Sequence, residues 1–579
     1  MKKLMLGNEA VAEGLFEAGC KIVSSYPGTP STEITEYAAE YDEIYAEWAP
    51  NEKVACEVAI GASIGGARAF CGMKHVGLNV AADPLFTVSY TGVNGGLLIA
   101  VADDPGMHSS QNEQDSRHYA VAAKLPMLEP CDSQECKDFT RLAFDLSEEY
   151  DTPFLLRLST RISHSRSLAE ICERTEIPVR DYEKNIQKYV MMPAMARARH
   201  IVVEQRTKKL TEYAEKSDIN KIINGSGKIG IIAAGTSYVY AREALGDNAS
   251  YLKLGMVNPL PVKLIEDFAK TVDTLYVIEE LDPIIEQHCK SNGIKVIGKE
   301  AFPIVGEFSQ ALIKKVILGE ENDCSALEET LPVRPPVMCC GCPHRGLFHT
   351  LKRLKTYVSG DIGCYTLASQ SPLGMIDACV CMGASVSGLH GYNLARNEAK
   401  KSVAVLGDST FMHSGITGLV NIAYNQTNSK VIVLDNSITG MTGHQQNPTT
   451  GLTLKNQPTT AVNLEALAKS VGIESVIVVD PYNLTDCHEK IKEELDKDCP
   501  SLIISRRPCA LLKTVKAKPA LYVDKDKCKK CGACMNIGCP AISRSAGKMV
   551  EIDRNQCVGC GQCTHMCKFG AIKECGAND

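Results

Sequence analysis

At 579 residues, with 44% hydrophobic and 23% charged side chains, the chain is too long for one core and is expected to divide into about three to five domains. A formal net charge of −7 excludes the basic footprint of a nucleic-acid-binding protein, and no run of ~18 apolar residues is available to span a membrane. The outlier is cysteine: 26 in a chain of this size point to metal ligation and not to a disulfide framework.

The opening segment, MKKLMLGNEAVAEGLFEAG, has two lysines but no apolar core of signal length, and Glu9, Glu13 and Glu17 interrupt it. No signal peptide is expected, which places the protein in the cytoplasm. Residues 1–190 alternate amphipathic segments with short apolar runs, among them Lys21–Ser25, Val76–Ala81 and Leu97–Ala102, the rhythm of a parallel α/β sheet. A polar helical stretch over 181–225 reads as a linker. A second α/β unit over 225–325 starts with the Lys228–Ala234 strand and continues through Leu275–Ile278 and Ile294–Ile297. Residues 319–336, acidic and then proline-rich, mark a boundary. A third unit over 337–515 has strands at Ser402–Leu406, Lys430–Leu434, Ser475–Val479 and Ser501–Ser505. Residues 519–579 are cysteine-dense and poor in apolar runs, so this segment needs a staple such as a metal. The fold class expected is α/β: three doubly wound parallel-sheet domains followed by a small ferredoxin-like domain.

The C-terminal segment repeats one motif. Cys528, Cys531 and Cys534 are followed by Cys539-Pro540, and Cys557, Cys560 and Cys563 by Cys567. Three closely spaced thiolates take one face of a [4Fe–4S] cube, and the remote fourth ligates the other cube. The spacing therefore assigns Cys528, Cys531, Cys534 and Cys567 to one cluster, and Cys557, Cys560, Cys563 and Cys539 to the second. A four-residue gap before Cys539 and the missing proline after Cys567 depart from the bacterial two-cluster pattern without removing a ligand. A zinc module is the alternative, although zinc usually takes paired CxxC motifs. Nine Lys/Arg against six Asp/Glu over 521–579 either make a docking face for an acidic protein or keep the domain in solution.

In the third unit the Ser402–Leu406 strand runs into Gly407-Asp408-Ser409, and the next strand, Lys430–Leu434, ends in Asp435-Asn436-Ser437-Ile438. One βαβ step sets two strand ends side by side at the crevice where α/β sheets bind ligands. This is the Mg²⁺–diphosphate motif of thiamine enzymes. The Asp408 carboxylate, the Asn436 amide oxygen and the Ile438 carbonyl supply hard oxygen ligands for Mg²⁺. Gly407, Gly440 and Gly443 let backbone approach the phosphates. A pair of strand-end loops in some other α/β enzyme is the alternative.

Ser24–Ile34 (SSYPGTPSTEI) is similar to the YPITPS stretch of pyruvate and 2-oxoglutarate ferredoxin oxidoreductases. Asn51–Phe70 (NEKVACEVAIGASIGGARAF) looks like their pyrimidine-domain helix, with Met73–Asn79 (MKHVGLN) following it. Over its whole length the chain resembles the 2-oxoacid:ferredoxin oxidoreductases, the indolepyruvate branch in particular. The resemblance implies a pyrimidine-binding domain at 1–190, a transketolase-C-terminal-like domain at 225–325, a diphosphate domain at 337–515 and a two-cluster domain at 519–579. It implies oxidative decarboxylation of an aryl 2-oxoacid (indolepyruvate and related aryl pyruvates) with coenzyme A to an arylacetyl-CoA, using thiamine diphosphate and passing electrons to ferredoxin.

Carried over residue by residue, Glu52 becomes the acid beside the aminopyrimidine N1′, with Glu57 its rival one helical turn on. Thr29 becomes a substrate contact, or merely a turn residue. Gly28, where relatives often have a bulkier residue, would leave room for an indole. His75 and His108 are acid/base groups or structural histidines. Cys339, Cys342, Cys364 and Cys509 match the order of a proximal [4Fe–4S] cluster, with zinc ligands or buried thiols as alternatives. The other fourteen cysteines, including Cys340, Cys379 and Cys381, are assigned to core packing. No segment remains for the gamma-type domain of the family, so a smaller beta subunit is expected, in a heterodimer or a dimer of heterodimers. A non-redox thiamine decarboxylase is disfavoured by the eight-cysteine tail. An electron carrier with a vestigial thiamine site is disfavoured by intact Asp408, Asn436 and Glu52.

Overall fold

The computed structural model describes residues 1–321, 329–545 and 547–575. The chain divides into two units, Met1–Glu328 and Glu329–Asp579. Residues 322–328 of the boundary segment, Cys324 among them, lie outside the described residues.

Among the described residues the first unit holds a seven-stranded sheet. Its order is Met256–Asn258, Met127–Leu128, Phe154–Ser159, Leu97–Asp103, Ala69–Lys74, Ile22–Ser25, Tyr45–Trp48. Every pairing is parallel except that of the Met256–Asn258 edge. Leu97–Asp103 is central and buried along its whole length, which is why it reads as an unbroken apolar run. A second sheet runs Thr274–Ile278, Ile229–Ala234, Ala249–Leu254, Lys221–Ile223. The two sheets share one core, in which Ile232, Leu252, Phe268 and Ile285 pack with Ala55, Leu85, Ile99 and Val101.

Three expectations are corrected here. Val76–Ala81 belongs to a helix, His75–Val80, and the strand before it is Ala69–Lys74; a run of six apolar-rich residues does not distinguish the two by periodicity. Ile294–Ile297 forms no strand, only a single bridge from Ile297 to Tyr276. The presumed linker contains a 24-residue helix, Pro193–Lys216, that buries Val203, Arg206, Leu210 and Ala214. Arg206 straps it down by donating to the carbonyls of Asp151 (2.8 Å) and Ser89 (2.7 Å). A long cationic side chain on a packed face makes such a helix look solvent-exposed in sequence.

The second unit is built on a five-stranded parallel sheet in the order Tyr357–Ser359, Ser402–Gly407, Lys430–Asp435, Ser501–Arg506, Ser475–Val479. Alternate residues serve two cores. Val403, Val405, Ile432 and Leu434 face one side, and Ala404, Leu406, Val431 and Val433 the other, as a doubly wound sheet requires. The C-terminal segment has two short antiparallel pairs, Leu521–Val523 with Ile572–Glu574 and Ile542–Arg544 with Val550–Ile552. Its core is Leu521, Ile537, Ile542, Val550 and Ile572 together with the thiols Cys534 and Cys563. Among the described residues no helix is long and apolar enough to cross a membrane.

Candidate functional site

Gly407 and Leu434 are register partners, so the loops that follow their strands lie side by side. Asp408 opens the first of these loops and is 1% exposed. Its Oδ1 accepts the Ser409 N–H (2.8 Å); its Oδ2 accepts the Ser437 N–H (3.1 Å) and the Thr449 hydroxyl (3.3 Å). Among the described residues no Lys, Arg or His pairs with it. Burial, and then the neighbouring Asp435, push its carboxyl up to about 7. Asp435 itself is paired with Arg506 at 2.7 Å. A buried carboxylate held by neutral donors alone is a poor resting state and a good cation ligand.

Asn436 and Ile438 are buried in the second loop, and the Asn436 carbonyl accepts the Cys509 N–H at 2.9 Å. Backbone bonds between Thr439 and Gln445, 2.9 and 3.2 Å, close the turn that carries Gly440 and Gly443. At Gly440 a Cβ would stand 3.5 Å from Cys364 Sγ and 4.0 Å from Asn436 Nδ2, so this glycine separates the two strand-end functions. Gly443, at φ +121°, has a backbone that other residues rarely adopt. Gly407 leaves room for the Tyr365 ring, 3.1 Å from where its Cβ would lie.

The sequence reading missed three supports of this site. Thr449 also donates to Asn447 Oδ1 at 2.7 Å. Asp361, fully buried, accepts the N–H groups of Ile362, Gly383 and Ser385 at 2.8–3.0 Å. Two of its three partners, Gly383 and Ser385, lie more than twenty residues on, where sequence alone gives no signal.

In the first unit Glu52 is the first residue of helix Glu52–Ile64, whose N-cap Asn51 accepts the Val54 N–H at 2.9 Å. Glu52 is 4% exposed. A Cβ at Gly77 would stand 2.6 Å from Glu52 Oε1, so the glycine of the Met73–Asn79 segment makes room for this carboxylate. Glu57 is half-exposed and paired with Lys53. Thr29 is partly exposed, and its carbonyl accepts from Ser109 Oγ at 3.5 Å. The space beside Gly28 is occupied by the Lys74 chain, 3.4 Å from a Cβ there. The Lys74 ammonium donates to the Ser109 carbonyl (3.1 Å), and burial lowers its pKa. His75 begins a helix; its Nε2 lies 3.2 Å from the Asn112 carbonyl, and burial lowers its pKa. His108 is exposed beside Glu307 at 3.3 Å.

Cys534, Cys563, Cys342 and Cys364 each have other candidate cluster thiols as neighbours. Burial raises Cys534, and the surrounding Cys567, Cys531 and Cys528 raise it further. Cys563 is raised by burial and then by Cys560, Cys539, Cys557 and the adjoining Cys534. Cys342 is pushed up to about 12 by burial, with Cys364 and Cys339 adding to it; Cys364 is pushed up to about 11 by burial, Cys509 and Cys339. Clustered buried thiols resist ionising unless a metal offsets the charge. Cys539, Cys557, Cys560 and Cys563 line a small cavity of about 20 Å³. Backbone N–H groups of Leu521 and Ala571 point at Cys557 Sγ and Cys567 Sγ, both 3.3 Å. Among the described residues no three His, Cys, Asp or Glu close to the spacing of one bound ion. The core-packing assignment holds for Cys20, Cys56, Cys71, Cys136, Cys289 and Cys487, which are buried, but fails for Cys172, Cys379 and Cys381, which are exposed. The last two sit in the loop ordered by Asp361. Cys340 lines the cavity beside Cys539.

Three families match along the chain: "pyruvate flavodoxin/ferredoxin oxidoreductase, thiamine diP-bdg" over residues 13–225, "thiamine pyrophosphate enzyme, C-terminal TPP binding domain" over 361–505, and "4Fe-4S dicluster domain" over 520–568. The indolepyruvate oxidoreductase subunit IorA of Archaeoglobus fulgidus is 40% identical, covering 100% of this chain and 98% of the relative. That of Pyrococcus horikoshii is 39% identical over 99% and 97%. A 2-oxoglutarate synthase subunit KorA of A. fulgidus is 24% identical over 52% of this chain and 96% of its own length. A 2-oxoglutarate:ferredoxin oxidoreductase from Magnetococcus marinus is a structural neighbour at TM-score 0.46 and 18% identity, covering 55% of this chain and 65% of that one. The chain belongs to the indolepyruvate oxidoreductase alpha-subunit family, ferredoxin-dependent 2-oxoacid oxidoreductases that use thiamine diphosphate and [4Fe–4S] clusters.

Proposed function

We propose that this subunit catalyses the oxidative decarboxylation of an aryl 2-oxoacid, indolepyruvate or a related aryl pyruvate, with coenzyme A as acyl acceptor, releasing CO₂ and an arylacetyl-CoA. The aryl preference rests on the names of the relatives. The observation that carries the redox reading is the position of Gly440, between Asn436 and Cys364. The loop that would hold the diphosphate borders the Cys339–Cys342–Cys364–Cys509 group, so electrons leaving the substrate have an acceptor one residue away.

In this reading Asp408, Asn436 and the Ile438 carbonyl hold Mg²⁺, and the diphosphate is bound through it. Bound thiamine diphosphate supplies the nucleophile for the 2-keto carbon and the electron sink that lets CO₂ leave. Glu52, buried at a helix start, shares its proton with the aminopyrimidine N1′. Thr29 contacts the substrate carboxylate or carbonyl. Cys339, Cys342, Cys364 and Cys509 hold a proximal cluster, and the eight C-terminal cysteines hold the other two. A smaller companion subunit completes a heterodimer or a dimer of heterodimers, and ferredoxin takes the electrons.

The test is anaerobic mixing of the two-subunit enzyme with indolepyruvate, phenylpyruvate, 4-hydroxyphenylpyruvate or 2-oxoglutarate, each with coenzyme A. Bleaching of the cluster absorbance with CO₂ release from the aryl acids supports the reading. Bleaching by 2-oxoglutarate alone refutes the aryl assignment, and no bleaching by any of them refutes the oxidoreductase site.

A further inference from the structure

The two C-terminal thiol groups have the same chemistry but differ in the charge that flanks them. Cys557, Cys560, Cys563 and Cys539 are flanked by Val558, Gly559, Gly561, Gln562 and Pro540, none of them charged. This group is turned toward the sheet domain, with Cys563 buried and Cys539, Cys557 and Cys560 partly so. Its cavity is shared with Cys340, Gly341 and Arg345 of the sheet domain, and the Gln562 amide donates to the Cys342 carbonyl at 3.1 Å. Arg345 ties the same two segments together by donating to the Cys339, Met338 and Gly538 carbonyls.

The other group faces out. Cys531 is exposed, and Cys528 and Cys567 are partly so. Lys527, Lys529 and Lys530 surround Cys528 and Cys531 in the chain, Lys568 follows Cys567, and all four are exposed. The fold sets these two stretches side by side: Leu521–Val523 pairs with Ile572–Glu574, and the Asp524 N–H donates to the Ala571 carbonyl at 2.7 Å. Among the described residues none of the four lysines makes an ion pair. Asp524 is neutralised by Lys573 at 2.7 Å, which leaves Asp526 and Glu574 as the acids without an ion pair among the described residues of these two stretches. Phe569, 49% exposed, stands next to Lys568 as an apolar anchor in the basic rim. On a chain whose net charge is −7, this is a local reversal of sign at the outermost thiols.

We propose that Lys527, Lys529, Lys530, Lys568 and Phe569 form the docking face for the acidic one-electron carrier protein that receives the electrons. The proposal rests on the redox reading above. A positive rim steers an acidic carrier and orients it over the exposed thiol group, raising the rate of encounter more than the strength of the complex. The group beside the sheet domain, with no lysine among its flanking residues, then serves only as a relay.

The test uses the intact two-subunit enzyme and an acidic ferredoxin. Changing all four lysines to glutamate is expected to raise the KM for ferredoxin by about tenfold or more and to remove most of its salt dependence. Reduction of methyl viologen, a small cation, should not slow, and a four-arginine variant should behave as wild type. An unchanged ferredoxin KM in the glutamate variant, or loss of the companion subunit from it on gel filtration, would overturn the docking assignment. A wild-type enzyme that reduces the dye but no ferredoxin overturns the acceptor reading itself, which is a distinct result.

Discussion

Two buried charge centres in this protein are solved in opposite ways. In the first unit, Arg117 lies between Asp115 and Glu279, both at 2.6 Å, while Arg157 bonds Asp103 at 2.7 Å and Glu129 at 2.8 Å; all are nearly inaccessible. Burial alone would raise the Asp115 carboxyl, but Arg117 and Arg157 hold it well below the ordinary range. In the second unit Asp408 is as deeply buried, and its partners are all neutral: two N–H groups, a hydroxyl and the Asn447 side chain. A centre that carries its own cations is finished when the chain folds. One that lacks them is finished only when a cation arrives. The first reads as scaffold and the second is the cation site we propose, although both are acid clusters at strand ends.

The comparison breaks if the two centres respond alike to mutation. Arg117→Met should cost about 3–5 kcal/mol, because it strands two buried carboxylates, and should lower the urea midpoint of the first unit sharply. Asp408→Asn should leave the stability of the cofactor-free protein unchanged or slightly higher, yet cut activity roughly 1000-fold, since several kcal/mol of Mg²⁺-mediated binding are lost. Thermal denaturation with a thiamine diphosphate assay on the same samples separates the two outcomes. Glu52→Gln should lower turnover by about 10²–10⁴-fold with cofactor still bound, whereas Glu57→Gln, at an exposed pair with Lys53, should stay within about twofold.

The smallest effect is on pH. In the cofactor-free protein Asp408 is raised to about 7 from an ordinary value of 3.8. The folded state therefore holds an extra proton between those values, and this group's contribution is full below pH 3.8 and lost as pH rises through about 7. Mg²⁺ must displace that proton, so thiamine diphosphate retention should weaken by about tenfold per pH unit below about 7. Asp408→Asn should abolish the slope along with the binding; a slope that survives the substitution would assign the proton elsewhere.

Much of this was legible because parallel strands buried on both faces read as continuous apolar runs. Ser402–Gly407 and Lys430–Asp435 announce both the sheet and the loops that end it. The cysteine spacing likewise pointed to a two-cluster domain, since a cube draws three ligands from one short loop and one from afar, and the family match over residues 520–568 agrees. What was hidden is long-range. Nothing local says that Met256–Asn258 crosses to the edge of the first sheet, or that Gly77 stands against Glu52. Thr449 and Asn447 lie in a polar run that sequence reads as a turn, and only the folded loop brings them to Asp408. Cys379 and Cys381 were assigned to the core on residue type alone, whereas both are exposed.

The account's central claim is that one chain holds both a thiamine diphosphate site and the clusters that drain it. Iron, acid-labile sulfide and thiamine diphosphate measured per chain, on one anaerobic preparation supplied with Mg²⁺, test it most directly. The account predicts about twelve iron, four to each of three cubes, with stoichiometric thiamine diphosphate. About eight iron would remove the proximal cluster. Zinc in place of iron, or no retention of thiamine diphosphate, would contradict the claim.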